Sequence, residues 1–81
     1  MRSVFRRRLR QLRMEKGKSC RVVSELCGLY SGAIAKYENG QAEPTMKAVI
    51  ALAKYFDVSA DYLLGLGDDA KKNHTERRNG V

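Results

Sequence analysis

The side chains best suited to a chemical task are the basic groups at the start of the chain. Residues 1–21 contain nine Lys or Arg side chains and one acidic side chain, Glu15, which gives a net charge of +8. Guanidinium and ammonium groups at this density bind phosphate oxygens and attract polyanions. Residues 22–65 carry a net charge of −2 and residues 66–81 a net charge of +1. This asymmetry indicates a nucleic acid as the first choice of partner and an anionic membrane surface as the second.

The other reactive side chains form no recognisable catalytic or metal-binding pattern. Cys20 and Cys27 are too few for a metal or disulfide scaffold, and on one helix they would lie about 10 Å apart, beyond disulfide reach. We interpret them as reduced thiols, at least one of them packed as a small hydrophobic group. His74 has no Cys or His partner at metal-ligand spacing. We therefore expect no enzymatic activity, no metal and no cofactor.

The length of the chain limits the fold to one small domain. A chain of 81 residues buries about 60–65% of the surface that it exposes when unfolded, which excludes barrels and nucleotide-binding βαβ units. No apolar run approaches the roughly 18–20 residues of a membrane span. The charged N-terminus is not followed by an uninterrupted apolar segment, so we expect no secretory signal.

Helical periodicity and helix-terminating residues predict five short helices and no strand. The predicted helices span about residues 3–16, 20–27, 31–39, 46–57 and 60–65. Ser19, Thr45 and Ser59 are the expected N-caps of the second, fourth and fifth helices. Residues 1–66 form the predicted domain, and residues 67–81, which are polar and lack a helical period, form a predicted disordered tail.

The second and third helices are separated by a turn of three residues, 28–30. A short glycine-containing turn between two brief helices is typical of a helix-turn-helix. With Ile34 directed toward the core and 100° per residue, Gly32 and Lys36 face away from the core. Ala33 and Ala35 flank this outer face, Ser31 lies at its N-terminal tip and Asn39 lies close to it. The face is small and carries one cation, and a lysine can donate to guanine O6 and N7 in a groove of DNA.

Four stretches resemble the lambda-repressor and Cro-like helix-turn-helix family, often called the XRE family, of bacterial and phage regulators. They are LRQLRMEKGKS (9–19), SELCGL (24–29), IAKYENGQAEPT (34–45) and LAKYFDVSADYLLG (52–65). The resemblance extends over residues 6–65, about three quarters of the chain. It implies an all-α, compact five-helix DNA-binding domain with the helix-turn-helix at helices 2 and 3.

The resemblance also implies roles for individual residues. The third helix of this family contacts bases in the major groove, which assigns base contacts to Ser31, Gly32, Ala33, Ala35 and Lys36. The expected phosphate contacts come from Arg10, Arg13, Ser19, Cys20, Tyr30, Asn39, Gly40 and Gln41. Cys20 replaces the Gln that is usual at the start of helix 2, and Tyr30 replaces the Ser or Thr that usually caps helix 3.

A family ion pair maps to Arg13 and Glu38. Glu38 either holds the Arg13 guanidinium toward a phosphate or ties helix 1 to helix 3. We expect the neighbouring Arg6, Arg7 and Arg8 to contribute mainly a long-range electrostatic field.

Three functions are compatible with the sequence. The first is a repressor that binds double-stranded DNA in a sequence-specific manner, as a homodimer on an inverted repeat. It would act in the bacterial cytoplasm, on the nucleoid. The expected dimer surface consists of Tyr62, Leu63, Leu64 and Leu66. We expect no small-molecule ligand for this regulator. The second is an antitoxin or protein-interaction module with the same fold. The third is a basic amphipathic membrane helix over residues 2–21, which leaves the helix-turn-helix spacing unexplained. We therefore expect DNA, and no membrane, to be the partner.

Overall fold

Five α-helices form the part of the protein that the computed structural model describes, which is residues 2–68, with side chains from residue 4 onward. The helices are α1 (Arg2–Glu15), α2 (Cys20–Leu26), α3 (Ala33–Glu38), α4 (Met46–Phe56) and α5 (Ala60–Leu64). Residues 2–68 contain no strand, so the predicted all-α class with five helices is confirmed. No helix in this range has the length and hydrophobicity to cross a bilayer. The predicted tail lies outside the described residues from residue 69 onward.

One hydrophobic core lies among the helices. Four leucine or isoleucine side chains at its centre, Leu9, Ile34, Leu52 and Leu63, are fully buried. Helix α1 packs against α3 and α5, α2 packs against α3, and α4 packs against α5. The apolar side of the amphipathic helix α1 therefore faces α3 and α5, and most of its arginines lie on the other sides.

Hydroxyl side chains begin three of the helices, as the sequence predicts. Each accepts a hydrogen bond from a backbone amide in the first turn that has no partner within the helix. The bonds run from Val22 to Ser19 (3.2 Å), from Ala48 to Thr45 (3.1 Å) and from Tyr62 to Ser59 (2.9 Å). These three caps fix the starts of α2, α4 and α5.

Helix α3 begins two residues later than predicted. The periodicity predicted a start at Ser31, and the family resemblance implied Tyr30 as the cap, whereas the helix begins at Ala33 and its N-cap is Gly32, which has no side chain of its own. The Ala33 amide donates to the Tyr30 carbonyl at 2.9 Å. This bond closes a turn over Ser31 and Gly32, which takes up the two residues that the pattern had assigned to the helix.

Two residues that we expected at the surface belong to the core. Ala33 and Leu63 are both fully buried. The assignment of Ala33 to base contact is therefore wrong, since its methyl group packs inside the domain. The assignment of Leu63 to a dimer surface is wrong for the same reason. Both residues lie in short helices, where a small error in register changes which side chains face inward.

Candidate nucleic-acid interface

A buried hydroxyl fixes the junction between α2 and α3. The Ser24 Oγ donates to the Cys20 carbonyl at 2.8 Å and accepts from the Ile34 amide at 3.1 Å. The amide of Ile34 lies in the first turn of α3, where no carbonyl of the helix can accept from it. Gly28 makes the intervening turn with φ +73°, a left-handed conformation that other residues adopt at a cost. Ser24 therefore caps α3 from the neighbouring helix.

Replacing Ser24 with alanine should lower the free energy of unfolding by about 1–3 kcal/mol, because the Ile34 amide would stay buried without an acceptor. Urea denaturation followed by circular dichroism measures this loss. Ser31→Ala is the matched control, because Ser31 is exposed and should cost less than about 0.5 kcal/mol. Equal losses in the two variants would contradict the capping role.

The predicted pair between Arg13 and Glu38 is confirmed, and it joins α1 to the end of α3. The Arg13 Nε and Nη2 donate to the two Glu38 carboxylate oxygens at 2.6 and 3.0 Å. The Nη1 donates to the Lys18 carbonyl at 2.9 Å, so three donors of the guanidinium have protein acceptors. The two side chains are 16% and 8% exposed. The Glu38 hydrogen bonds raise the pKa of Arg13 above its ordinary value, so the guanidinium stays charged.

Arg6 has a structural role that the charge pattern does not reveal. Its Nε donates to the Glu38 carbonyl at the C-terminus of α3, at 3.1 Å. A Cβ at Gly40 would lie 2.9 Å from the Arg6 guanidinium carbon, and Gly40 has φ +75°. Arg6 therefore caps α3 and packs directly against the glycine that follows it.

Arg8 binds the segment that follows α5. Its Nη1 donates to the carbonyls of Tyr62 and Gly67 at 2.5 and 2.8 Å, and its Nη2 donates to Asp68 at 3.2 Å. The guanidinium carbon lies 4.1 Å from the centroid of the Tyr62 ring. Two residues that we assigned to the tail, Gly67 and Asp68, thus contact α1. Arg6 and Arg8 therefore do more than supply a long-range field.

The remaining predicted contact residues lie at the surface to different extents. Ser31, Lys36, Asn39, Gln41, Arg10, Ser19 and Tyr30 are exposed, whereas Gly32, Ala35, Gly40 and Cys20 are half-buried. A shallow groove along the exposed side of α1 is lined by Arg6, Arg7, Arg10, Gln11, Met14, Glu15 and Glu38. Helix α3 itself carries one basic residue, Lys36. The surface therefore combines a nearly neutral helix with exposed cations on α1.

The cysteines have the properties of inert thiols. Both are free and half-buried. Burial, together with the negative charge of Glu38, raises the pKa of the Cys20 thiol, and burial raises the pKa of Cys27. A raised pKa keeps a thiol protonated and weakly nucleophilic at neutral pH. Within residues 2–68, no cluster of three or more His, Cys, Asp or Glu side chains could hold a metal ion.

Comparison with known proteins gives consistent results in sequence and in structure. The family model of a helix-turn-helix domain matches residues 4–64. The chain is 34% identical over 76 residues to YobD, an uncharacterised helix-turn-helix-type transcriptional regulator of Bacillus subtilis. The alignment covers 94% of this chain and 67% of YobD. The chain spans 50% to 67% of the length of three B. subtilis regulators that it matches.

Two solved structures share the architecture. The P22 c2 repressor, solved in complex with a synthetic operator, superposes with a TM-score of 0.70 at 27% identity and covers 74% of this chain and 91% of the repressor chain. The restriction-modification controller protein C.AhdI from Aeromonas hydrophila superposes with a TM-score of 0.70 at 31% identity and covers 76% of this chain and 94% of C.AhdI. The chain therefore belongs to the lambda-repressor/Cro-like helix-turn-helix family of transcriptional regulators.

Proposed function

We propose that the protein is a transcriptional repressor that binds an operator as a homodimer and inserts α3 into the major groove. The observation that carries the proposal is the outward side of α3, where Lys36 is exposed while the helix is held from behind by Ser24 and by the Arg13–Glu38 pair. A rigidly held helix with a small polar outer side suits a major groove about 12 Å wide. The structure of the P22 c2 repressor with an operator supports the same choice of ligand. Such a regulator acts in the bacterial cytoplasm, on the nucleoid.

Base contacts in this proposal come from the turn before α3 and from its outer side. Lys36 donates to guanine, Ser31 bonds a base edge or a phosphate, and Gly32 and Ala35 allow close approach. Ala33 is not included because it is buried. Phosphate contacts come from exposed groups around this surface, namely Arg10, Ser19, Tyr30, Asn39 and Gln41, with the half-buried Cys20 and Gly40 beside them. Arg13 acts mainly as a structural tie, since Glu38 and the Lys18 carbonyl occupy three of its donors.

The homodimer uses an apolar groove between α4 and α5 in this proposal. The groove is lined by Phe5, Glu43, Pro44, Met46, Val49, Ile50, Ala60 and Leu64. Met46 is 79% exposed and Ile50 is 47% exposed, and Leu66, just after α5, is 67% exposed. The exposed apolar side chains that line the groove favour burial against a second copy of the chain. The proposed dimer surface therefore includes residues of α4 together with Tyr62, Leu64 and Leu66. Leu63 is left out because it is buried.

Replacing Ile50 with glutamate should weaken the dimer by about 100-fold, because a carboxylate without a partner would be buried at the interface. Sedimentation velocity over a range of concentrations measures the change. Lys54→Glu is the matched control, since Lys54 is exposed on the same helix and does not line the groove. An unchanged dimer in Ile50→Glu would remove the groove from the interface.

Selection of bound DNA from a random pool tests the proposed function as a whole. The enriched sequences should share an inverted repeat whose half-site centres lie about one helical turn, roughly 34 Å, apart. A pool without enrichment would refute sequence-specific binding. An enriched site without two-fold symmetry would refute the homodimer while leaving DNA recognition in place.

A further inference from the structure

Tyr30 is more exposed than the other tyrosines of the protein. Tyr37 is 5% exposed and packs edge-on against Phe5, with ring centroids 6.1 Å apart. Tyr55 packs against Phe56, and Tyr62 lies under the Arg8 guanidinium. Tyr30 is 57% exposed, immediately before the turn that begins α3. The Tyr30 ring is therefore accessible to a ligand that binds at the start of α3.

The Tyr30 ring lies over the turn before α3. A Cβ built at Gly32 would lie 3.7 Å from Cε2 and 4.0 Å from Cδ2 of Tyr30, which are ordinary contact distances. The φ of Gly32 is −95°, so the backbone itself accepts any residue there. Position 32 thus places no side chain beside the ring, which is 57% exposed.

Lys36 extends from α3 toward the same ring. Its Nζ lies 5.8 Å from the centroid of the Tyr30 ring, within the range of a cation–π interaction. Helical side chains lean toward the N-terminus of their helix, which is the direction of Tyr30. The ring thus biases the position of the one ammonium group on α3. The two groups form a unit in which Tyr30 positions Lys36.

The separation between the two groups is compatible with contacts to neighbouring base pairs. Base pairs stack about 3.4 Å apart, and the twist between them adds a sideways offset, so two groups 5.8 Å apart can reach the edges of adjacent pairs. An ammonium group donates to guanine O6 and N7, and an aromatic ring makes apolar contact with the C5-methyl group of thymine. The unit therefore suits a guanine and a thymine in neighbouring base pairs.

We propose that Tyr30 is a specificity-determining residue, which contacts a thymine methyl group and holds Lys36 against the guanine of the adjacent base pair. This inference depends on the proposed function, because it assigns two positions within the operator half-site. It adds a ring contact where the family resemblance implied only a phosphate contact. It also adds a positioning role that a phosphate contact does not have.

The experiment uses the full chain and the DNA site enriched from a random pool, with binding measured by fluorescence anisotropy. Replacing the thymine next to the conserved guanine with uracil removes one methyl group. In the unmodified protein, this substitution in both half-sites should weaken binding by about 15-fold, or about four-fold per half-site. Uracil at a thymine outside the half-sites is the matched control and should have no effect.

Three variants assign the effect to residues. Y30A should bind thymine and uracil sites equally, whereas Y30F should restore the preference, because it keeps the ring. K36A should lose at least about five-fold discrimination for the adjacent guanine, measured with 7-deazaguanine in place of guanine. Y30A should weaken that discrimination too, since Lys36 loses its positioning ring. Circular dichroism confirms folding of each variant.

Each result separates this inference from the proposed function. A methyl effect that persists in Y30A would overturn the inference, and so would guanine and thymine positions that are not adjacent. Loss of the methyl effect in both Y30A and Y30F would mean that the hydroxyl and not the ring makes the contact, which overturns it as well. If the pool yields no enriched site, the proposed function fails and this inference fails with it.

Discussion

Raising the salt concentration from 50 to 200 mM should weaken operator binding by roughly 10⁴-fold. Each phosphate that a Lys or Arg neutralises releases counterions from the DNA, so the logarithm of the binding constant falls with the logarithm of the salt concentration with a slope of about −0.9 per contact. About eight contacts for a dimer, four per protomer, give this loss. Arg7, Arg10, Lys16 and Lys18 are exposed cations on α1 and in the turn after it, and they can supply these four contacts. Anisotropy titrations at several salt concentrations measure the slope.

Arg10→Ala and Arg8→Ala form a matched pair for this prediction. Arg10 is exposed on α1, so its loss should reduce the slope by about 0.9 per protomer without lowering stability. Arg8 is bound to the Tyr62 and Gly67 carbonyls, so its loss should lower the free energy of unfolding and leave the slope nearly unchanged. An equal change of slope in both variants would show that the structural role assigned to Arg8 is incomplete.

Features determined by neighbouring residues were predictable from the sequence. The N-caps at Ser19, Thr45 and Ser59 act on amides three residues away in the chain, so the residue type and its position are sufficient to identify them. The number of helices follows from the same local signals. The pairing of Arg13 with Glu38 joins residues 25 apart, and it was predicted through the family resemblance and not through spacing.

Features determined by distant residues were not predictable in this way. Arg6 and Arg8 bind carbonyl groups 32 to 59 residues away, and a run of arginines carries no sign of such acceptors. Ser24 resembles any other serine in a helix until Ile34 is seen to donate to it. The sequence does contain one indication of the buried role of Ser24. Ser24 follows the core residue Val23 and precedes the glycine turn, where α2 packs closely on α3. A hydroxyl at such a position needs an internal partner, because buried polar groups are hydrogen-bonded.

The predicted start of α3 was two residues too early, because hydrophobic periodicity does not distinguish a separate β-turn from the first turn of a helix. Ser31 and Gly32 continue the pattern of α3, yet the bond from the Ala33 amide to the Tyr30 carbonyl holds them in a separate turn. The consequence reaches the site, since Ala33 moves into the core and Tyr30 moves to the edge of the outer side of α3. An error of two residues in one short helix therefore changes which side chains are available to DNA.

Replacing Glu38 with alanine should lower the free energy of unfolding by about 3 kcal/mol, because the mostly buried Arg13 guanidinium would lose its partner. A domain of this size has a total stability of about 4–12 kcal/mol, so the variant should melt about 15 °C lower. Thermal and urea denaturation measure the loss. Glu25→Ala is the matched control, since its pair with Arg21 is 54–78% exposed and should contribute less than about 0.5 kcal/mol.

The same variant decides between the two roles of the Arg13–Glu38 pair. If Glu38 only ties α1 to α3, folded Glu38→Ala protein at low temperature should keep the salt slope of operator binding, because no phosphate contact is lost. If Glu38 orients Arg13 toward a phosphate, the slope should fall by about 0.9 per protomer even where the protein is fully folded. We expect the first result, because three donors of Arg13 have protein acceptors and the side chain is 16% exposed. With three donors already bonded within the protein, the Arg13 guanidinium has little surface left to contact DNA. Removing Glu38 should therefore lower the stability of the helix-turn-helix rather than remove a DNA contact.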